Sequence, residues 1–157
     1  MDAVRRFRRV AHARSVRRAD EQQVIDAAVA LLAIGIDEPA IVELGSLRRP
    51  ANAFQVDALV ERSLVALGLD RAGEADAWLA AAALLAEPFL AGSMSAADLA
   101  SRWHDRIGHE RATDFLPVDV AELADQLEMS GSGGGRSLSE AEGAIRDAAE
   151  LMTRLSA

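Results

Sequence analysis

The chain has 157 residues, about half of them apolar, which suits one compact domain with or without appendages and leaves no room for two full domains. There is no cysteine, so disulfide frameworks, thiolate zinc sites and cysteine nucleophiles are excluded. The 17 basic residues are all arginine and stand against 25 acidic ones, a formal net charge of −8.

That charge is unevenly placed. Residues 1–18 hold Arg5, Arg6, Arg8, Arg9, Arg14, Arg17 and Arg18 against Asp2, a formal +6, so the rest of the chain carries −14. Residues 1–19 therefore read as a basic N-terminal arm, either a solvated helix or a frayed tail, although Val4, Phe7 and Val10/Ala11 fall at helical spacing. Deployed as an arm, it is the one segment suited to nucleic acid or an anionic membrane, because an acidic body repels phosphate backbones and favours basic or neutral partners. No apolar segment follows the arginines as in a secretory leader, and cytoplasmic location is the expectation.

Helices with clear punctuation follow. Asp20-Glu21-Gln22-Gln23 approaches a capping box and opens a helix over about 21–34, ended by Gly35 in a left-handed conformation. Asp37-Glu38-Pro39 starts a short helix that stops after Leu44. Beyond Pro50, the apolar positions Val56, Leu59, Val60, Leu64 and Leu67 mark one buried face of a helix over about 54–67. The alanine-rich stretch from Glu74 to Ala91 reads as a helix that Pro88 should kink or split.

Ser95-Ala96-Ala97-Asp98 caps a helix with Leu99, Trp103 and Ile107 on one side, stopping at Gly108. A helix near 117–128 places Val120, Leu123 and Leu127 inward. Residues 130–136 read as a glycine/serine linker, and Ser137-Leu138-Ser139-Glu140 caps a last helix within 137–157. Ala144, Ile145, Ala148, Leu151, Met152 and Leu155 are its apolar positions. No stretch alternates with period two for long enough to make a sheet. The expected fold is all-α: a compact, orthogonally packed multi-helix bundle over 20–129, with Leu31, Leu64, Trp78, Leu85, Leu99 and Trp103 buried, followed by a glycine-linked C-terminal helix. Neither apolar stretch, Ala27 to Ile36 or Ala77 to Ala86, is long enough to span a bilayer.

Candidate chemistry is sparse. His104 and His109, beside Asp105 and Glu110, offer metal-ligating or general-base groups and would make the site of a hydrolase. Histidines that share a helical metal site usually sit four apart, whereas these sit five apart with Gly108 ending the helix between them. No metal, cofactor or catalytic residue is therefore assigned. The glycine run lacks the lysine of a phosphate-binding loop. A helix-turn-helix reading fails on charge, since the best-placed recognition helix carries Asp57 and Glu61 against Arg62.

Two resemblances bear on function. The run Gly35-Ile36-Asp37-Glu38-Pro39-Ala40-Ile41-Val42-Glu43-Leu44, then Ala66-Leu67-Gly68-Leu69 and Phe89 to Ser95, resembles a group of small helical actinobacterial proteins of unknown function. That group implies a fold and no activity, and this chain departs from its pattern with Glu38 for serine and Gly45-Ser46 for Ala-Gly. The stretch Phe89-Leu90-Ala91-Gly92-Ser93-Met94-Ser95-Ala96-Ala97-Asp98 is similar to the inter-helix turn of colicin-D-type immunity proteins, small acidic helical proteins that neutralise a basic nuclease. The expected function is a non-enzymatic module that binds a protein partner, basic in character, through Asp119, Glu122, Asp125 and Glu128. A nucleic-acid-associated protein using residues 1–18 is the first alternative and a His/Asp/Glu hydrolase the second. Self-association is left open.

Overall fold

The computed structural model describes residues 3–48, 50–130 and 137–156, and all of its regular structure there is helical. In chain order the helices are α1 (Ala3–Ser15), α2 (Glu21–Ala33), α3 (Pro39–Gly45), α4 (Ala53–Ala66), α5 (Glu74–Leu90), α6 (Ala96–Arg106), α7 (Gly108–Phe115), α8 (Val120–Ser130) and α9 (Leu138–Leu155). The expected linker, apart from Ser130 at the end of α8, lies outside the described residues.

Local chemistry sets the helix starts. Asp20 accepts from the Gln23 amide while its own amide donates to Gln23 Oε1, a full capping box, and Ser137 with Glu140 forms the second. Ser95 accepts from the Asp98 amide, and Asn52 accepts from the amides of Phe54 and Gln55. The α3 start has no side-chain cap and rests on Pro39 in its first turn. Gly35, at φ +84°, supplies the left-handed residue after α2 that a side chain would strain.

The core is organised around α5. This helix is apolar nearly all round, and Ala77, Ala80, Ala81, Ala82, Ala83 and Ala86 are all buried, so small side chains allow helices to approach it from several sides. It packs on α1, α6, α7 and α9. Helices α2, α3 and α4 pack on one another and meet α1, while α6, α8 and α9 form a second group. Trp103 of α6 is fully buried and its Nε1–H donates to the Ala82 carbonyl at 3.1 Å, tying α6 to α5. Two guanidinium groups lie against Trp78 of α5, with Arg18 Cζ 5.3 Å and Arg111 Cζ 5.8 Å from its ring centroid.

Several expectations are refined or corrected. Residues 3–18, the described part of the expected arm, do not form a solvated tail: Phe7, Val10, Ala11 and Ala13 of α1 are in the core, and Arg9 and Arg14 are buried with them. Arg9 Nη1 donates to Glu87 Oε1 of α5 at 2.8 Å, Nε to Ser156 Oγ at 2.9 Å and Nη2 to the Thr153 carbonyl of α9 at 2.9 Å. Arg14 pairs with Asp57 of α4 at 2.8 Å and with Glu21 of α2 at 2.9 Å. A boundary at residue 19 would cut these contacts, and α9, whose apolar positions the sequence left free to dock or to bind elsewhere, packs on α5 and α8.

Of the two outcomes expected at Pro88, a kink or a split, the split does not occur, and α5 continues to Leu90. Leu85 is only half-buried, and the neighbouring Leu84 is the one that is buried. Finally, Gly108 does not simply end a helix. At φ +73° it turns the chain into α7, a helix whose sequence is mostly polar and whose one buried side chain is Ala112. Leu31, Leu64, Trp78, Leu99 and Trp103 are buried as expected.

Candidate functional site

The four carboxylates expected to form one binding patch, Asp119, Glu122, Asp125 and Glu128, follow one another every three residues. Each such step rotates about 300° around an α-helix, so the row drifts by about 60° per member and its ends reach opposite sides. The structure distributes them accordingly. Asp119 lies just before α8 and accepts from the backbone amides of Ala121 and Glu122, both at 3.0 Å, so it caps that helix. Glu122 is exposed and accepts from Gln126 Nε2 one turn along at 3.1 Å. Asp125 turns toward two histidines, and together with Glu128 it lines a groove beside them.

The histidines are His104, near the end of α6, and His109, in the first turn of α7. The turn at Gly108 redirects the chain, so the two imidazoles meet edge to face with centroids 5.5 Å apart and planes at 87°. Asp125 reaches both: its Oδ1 is 3.7 Å from His104 Nε2 and its Oδ2 is 3.2 Å from His109 Nε2. The outer nitrogens also face carboxylates, with His109 Nδ1 3.8 Å from Asp119 Oδ2 and His104 Nδ1 3.8 Å from Asp105 Oδ1. Both rings are about half exposed. Glu110, expected to join them, instead pairs with Arg111 and points to solvent. The third histidine, His12, lies on α1, its Nε2 3.2 Å from the Asp70 carbonyl. Partial burial holds its pKa below the usual imidazole value, against the opposing hydrogen bond to Asp70.

Beside this cluster runs a groove of about 390 Å³ between α6, α8 and α9. Its walls are mainly apolar, with Ala97 and Ala100 from α6, Ala124 and Leu127 from α8 and Leu138 from α9, and its carboxylates are Asp125, Glu128 and Glu142. Leu138 is 54% exposed and Met129, near the end of α8, 56%. His104 lines the same groove, so the imidazole pair and the acidic rim are one continuous surface. Glu142 and the apolar floor were not singled out in the sequence. The expected apolar positions of α9 began at Ala144; Leu138 stands two turns before Ile145 on the same face, with Glu142 at its edge.

Comparison with family models, with curated proteins and with solved structures finds no match to this chain.

Proposed function

We propose that this protein is a non-enzymatic binding module that takes a basic, partly apolar segment of a partner protein into the groove between α6, α8 and α9. The observation that carries the reading is the pairing of an apolar floor, Ala97, Ala100, Ala124, Leu127 and Leu138, with carboxylates at Asp125, Glu128 and Glu142. An apolar floor supplies contact energy, and like-signed rim charges steer an oppositely charged partner and select its register. The formal net charge of −8 favours the same class of partner. The likeness of Phe89 to Asp98 to colicin-D-type immunity proteins supports a basic toxin as that partner, since this stretch leads into α6, whose Ala97 and Ala100 line the groove.

Burial of Arg9 and Arg14 weighs against the nucleic-acid alternative, because it removes two of the arginines that would contact phosphates. The test uses the full chain to capture partners from its source cells, followed by association rates of the purified partner at two salt concentrations. Glu128→Gln with Glu142→Gln should slow association severalfold and flatten its salt dependence. Ala97→Trp, at an exposed groove position, should abolish capture. Unchanged rates in the first variant together with normal capture by the second would overturn the reading.

A further inference from the structure

The histidine pair has a chemistry that the groove does not need. Two imidazole nitrogens and one carboxylate oxygen converge from three elements, the end of α6, the start of α7 and the middle of α8, and one donor atom from each of His104, His109 and Asp125 lies within 4.8 Å of the others. Asp125 Oδ1 is 3.7 Å from His104 Nε2 and Asp125 Oδ2 is 3.2 Å from His109 Nε2, each near the separation of about 3.3 Å between neighbouring donors on a tetrahedral ion with bonds near 2.0–2.1 Å. Closing the widest gap takes a movement of about 1.5 Å, which half-exposed rings at the molecular surface can make by side-chain rotation.

The second layer has the same logic. Histidines that bind through Nε2 commonly give the Nδ1–H to a carboxylate, which fixes the tautomer and the ring plane. His109 Nδ1 faces Asp119 and His104 Nδ1 faces Asp105, each at 3.8 Å. Asp119 is itself held by the two backbone amides it caps, so its position is set by the start of α8 rather than by a mobile side chain. A mixed nitrogen and oxygen donor set suits zinc and its neighbours, whereas magnesium and calcium prefer oxygen alone.

We propose that His104, His109 and Asp125 bind one divalent transition-metal ion of the zinc class, with Asp119 and Asp105 orienting the rings. Three protein ligands leave at least one position for water or for a donor from outside the chain. The site shares His104 and Asp125 with the groove, but Glu128 and Glu142 take no part in it, so the Glu128→Gln/Glu142→Gln pair separates the two readings.

The test is a calorimetric titration of the tag-free full chain with Zn²⁺, repeated with Co²⁺, whose visible spectrum reports coordination. One equivalent should bind. His104→Ala and His109→Ala should each weaken binding at least tenfold, and Asp119→Asn, which keeps the helix cap, should weaken it by about tenfold. His12→Ala and the Glu128→Gln/Glu142→Gln pair should bind as wild type, and Mg²⁺ should not compete. Far-ultraviolet circular dichroism verifies that each variant is folded. In proton spectra of the wild-type chain, Co²⁺ should perturb the ring resonances of His104 and His109 and spare those of His12, a readout that needs no variant. Absence of saturable Zn²⁺ binding at millimolar concentration, equal binding by the His104→Ala/His109→Ala chain, or perturbation of His12 alone would overturn the proposal.

Discussion

Helices α1 and α8 are both conspicuous for charge, and the fold uses that charge in opposite ways. In α1 the arginines are structural: Arg9 reaches α5 and α9 from a position 2% exposed, and Arg14 joins α2 to α4. In α8 the carboxylates stay at the surface, around two histidines and a groove. The contrast teaches that clustered charge of one sign does not distinguish a solvated tail from a core element. An arginine has a long apolar stem and a planar head with several donors, so it can lie inside a protein wherever carboxylates and carbonyl groups converge on it. A short aspartate at a helix start is instead held near the backbone it caps.

The largest expected effect breaks the α1 side of that comparison. Arg9→Ala leaves Glu87 without its partner at a position only 20% exposed, and urea denaturation should show a loss of about 3–5 kcal/mol. Adding Glu87→Leu to Arg9→Met should recover much of that loss, because an apolar pair removes the uncompensated charge. A truncated chain lacking residues 1–18 should fail to fold cooperatively; a sharp unfolding transition in that chain would restore the reading of the segment as an appendage.

On the α8 side, effects should be smaller and tied to position. Asp119→Ala removes a cap and should cost about 1 kcal/mol, whereas Asp119→Asn should cost little, as thermal or chemical denaturation can show. The pH dependence of stability probes α1 again. Partial burial lowers the His12 pKa, so the unfolded chain binds a proton more readily than the native one. The stabilising contribution is present above the ordinary value of 6.5 and is lost as pH falls from there through the lowered native pKa. His12→Asn should flatten that part of the stability profile. The smallest effect is expected for Glu122→Gln with Glu128→Gln, within about 0.5 kcal/mol of wild type, since both side chains are exposed.

The helix starts were readable because the caps are local: Asp20 with Gln23, Ser95 with Asp98 and Ser137 with Glu140 each lie within four residues. Long-range partnerships were not. Nothing near Arg9 in the chain announces Glu87 or Thr153, and hydrophobic spacing in α1 was outweighed by its seven nearby arginines. Helix α7 was missed for a different reason, because Gly-His-Glu-Arg-Ala-Thr-Asp-Phe buries only Ala112 and so has no apolar stripe to read. The histidine pair follows from that omission. A spacing rule for ligands applies along one unbroken helix, and here Gly108 starts a second helix that carries His109 back toward His104.

The two tryptophans have an optical consequence. The chain has no tyrosine, and Trp78 and Trp103 lie on α5 and α6, so its emission reports that pair of helices and is nearly silent about α2, α3 and α4. Far-ultraviolet circular dichroism, by contrast, sums over every helix. If the two signals are lost together during denaturation, α1 is transmitting cooperativity through Arg14 and Arg9; if ellipticity falls first, the α2–α4 side melts while the fluorophores remain in their native surroundings.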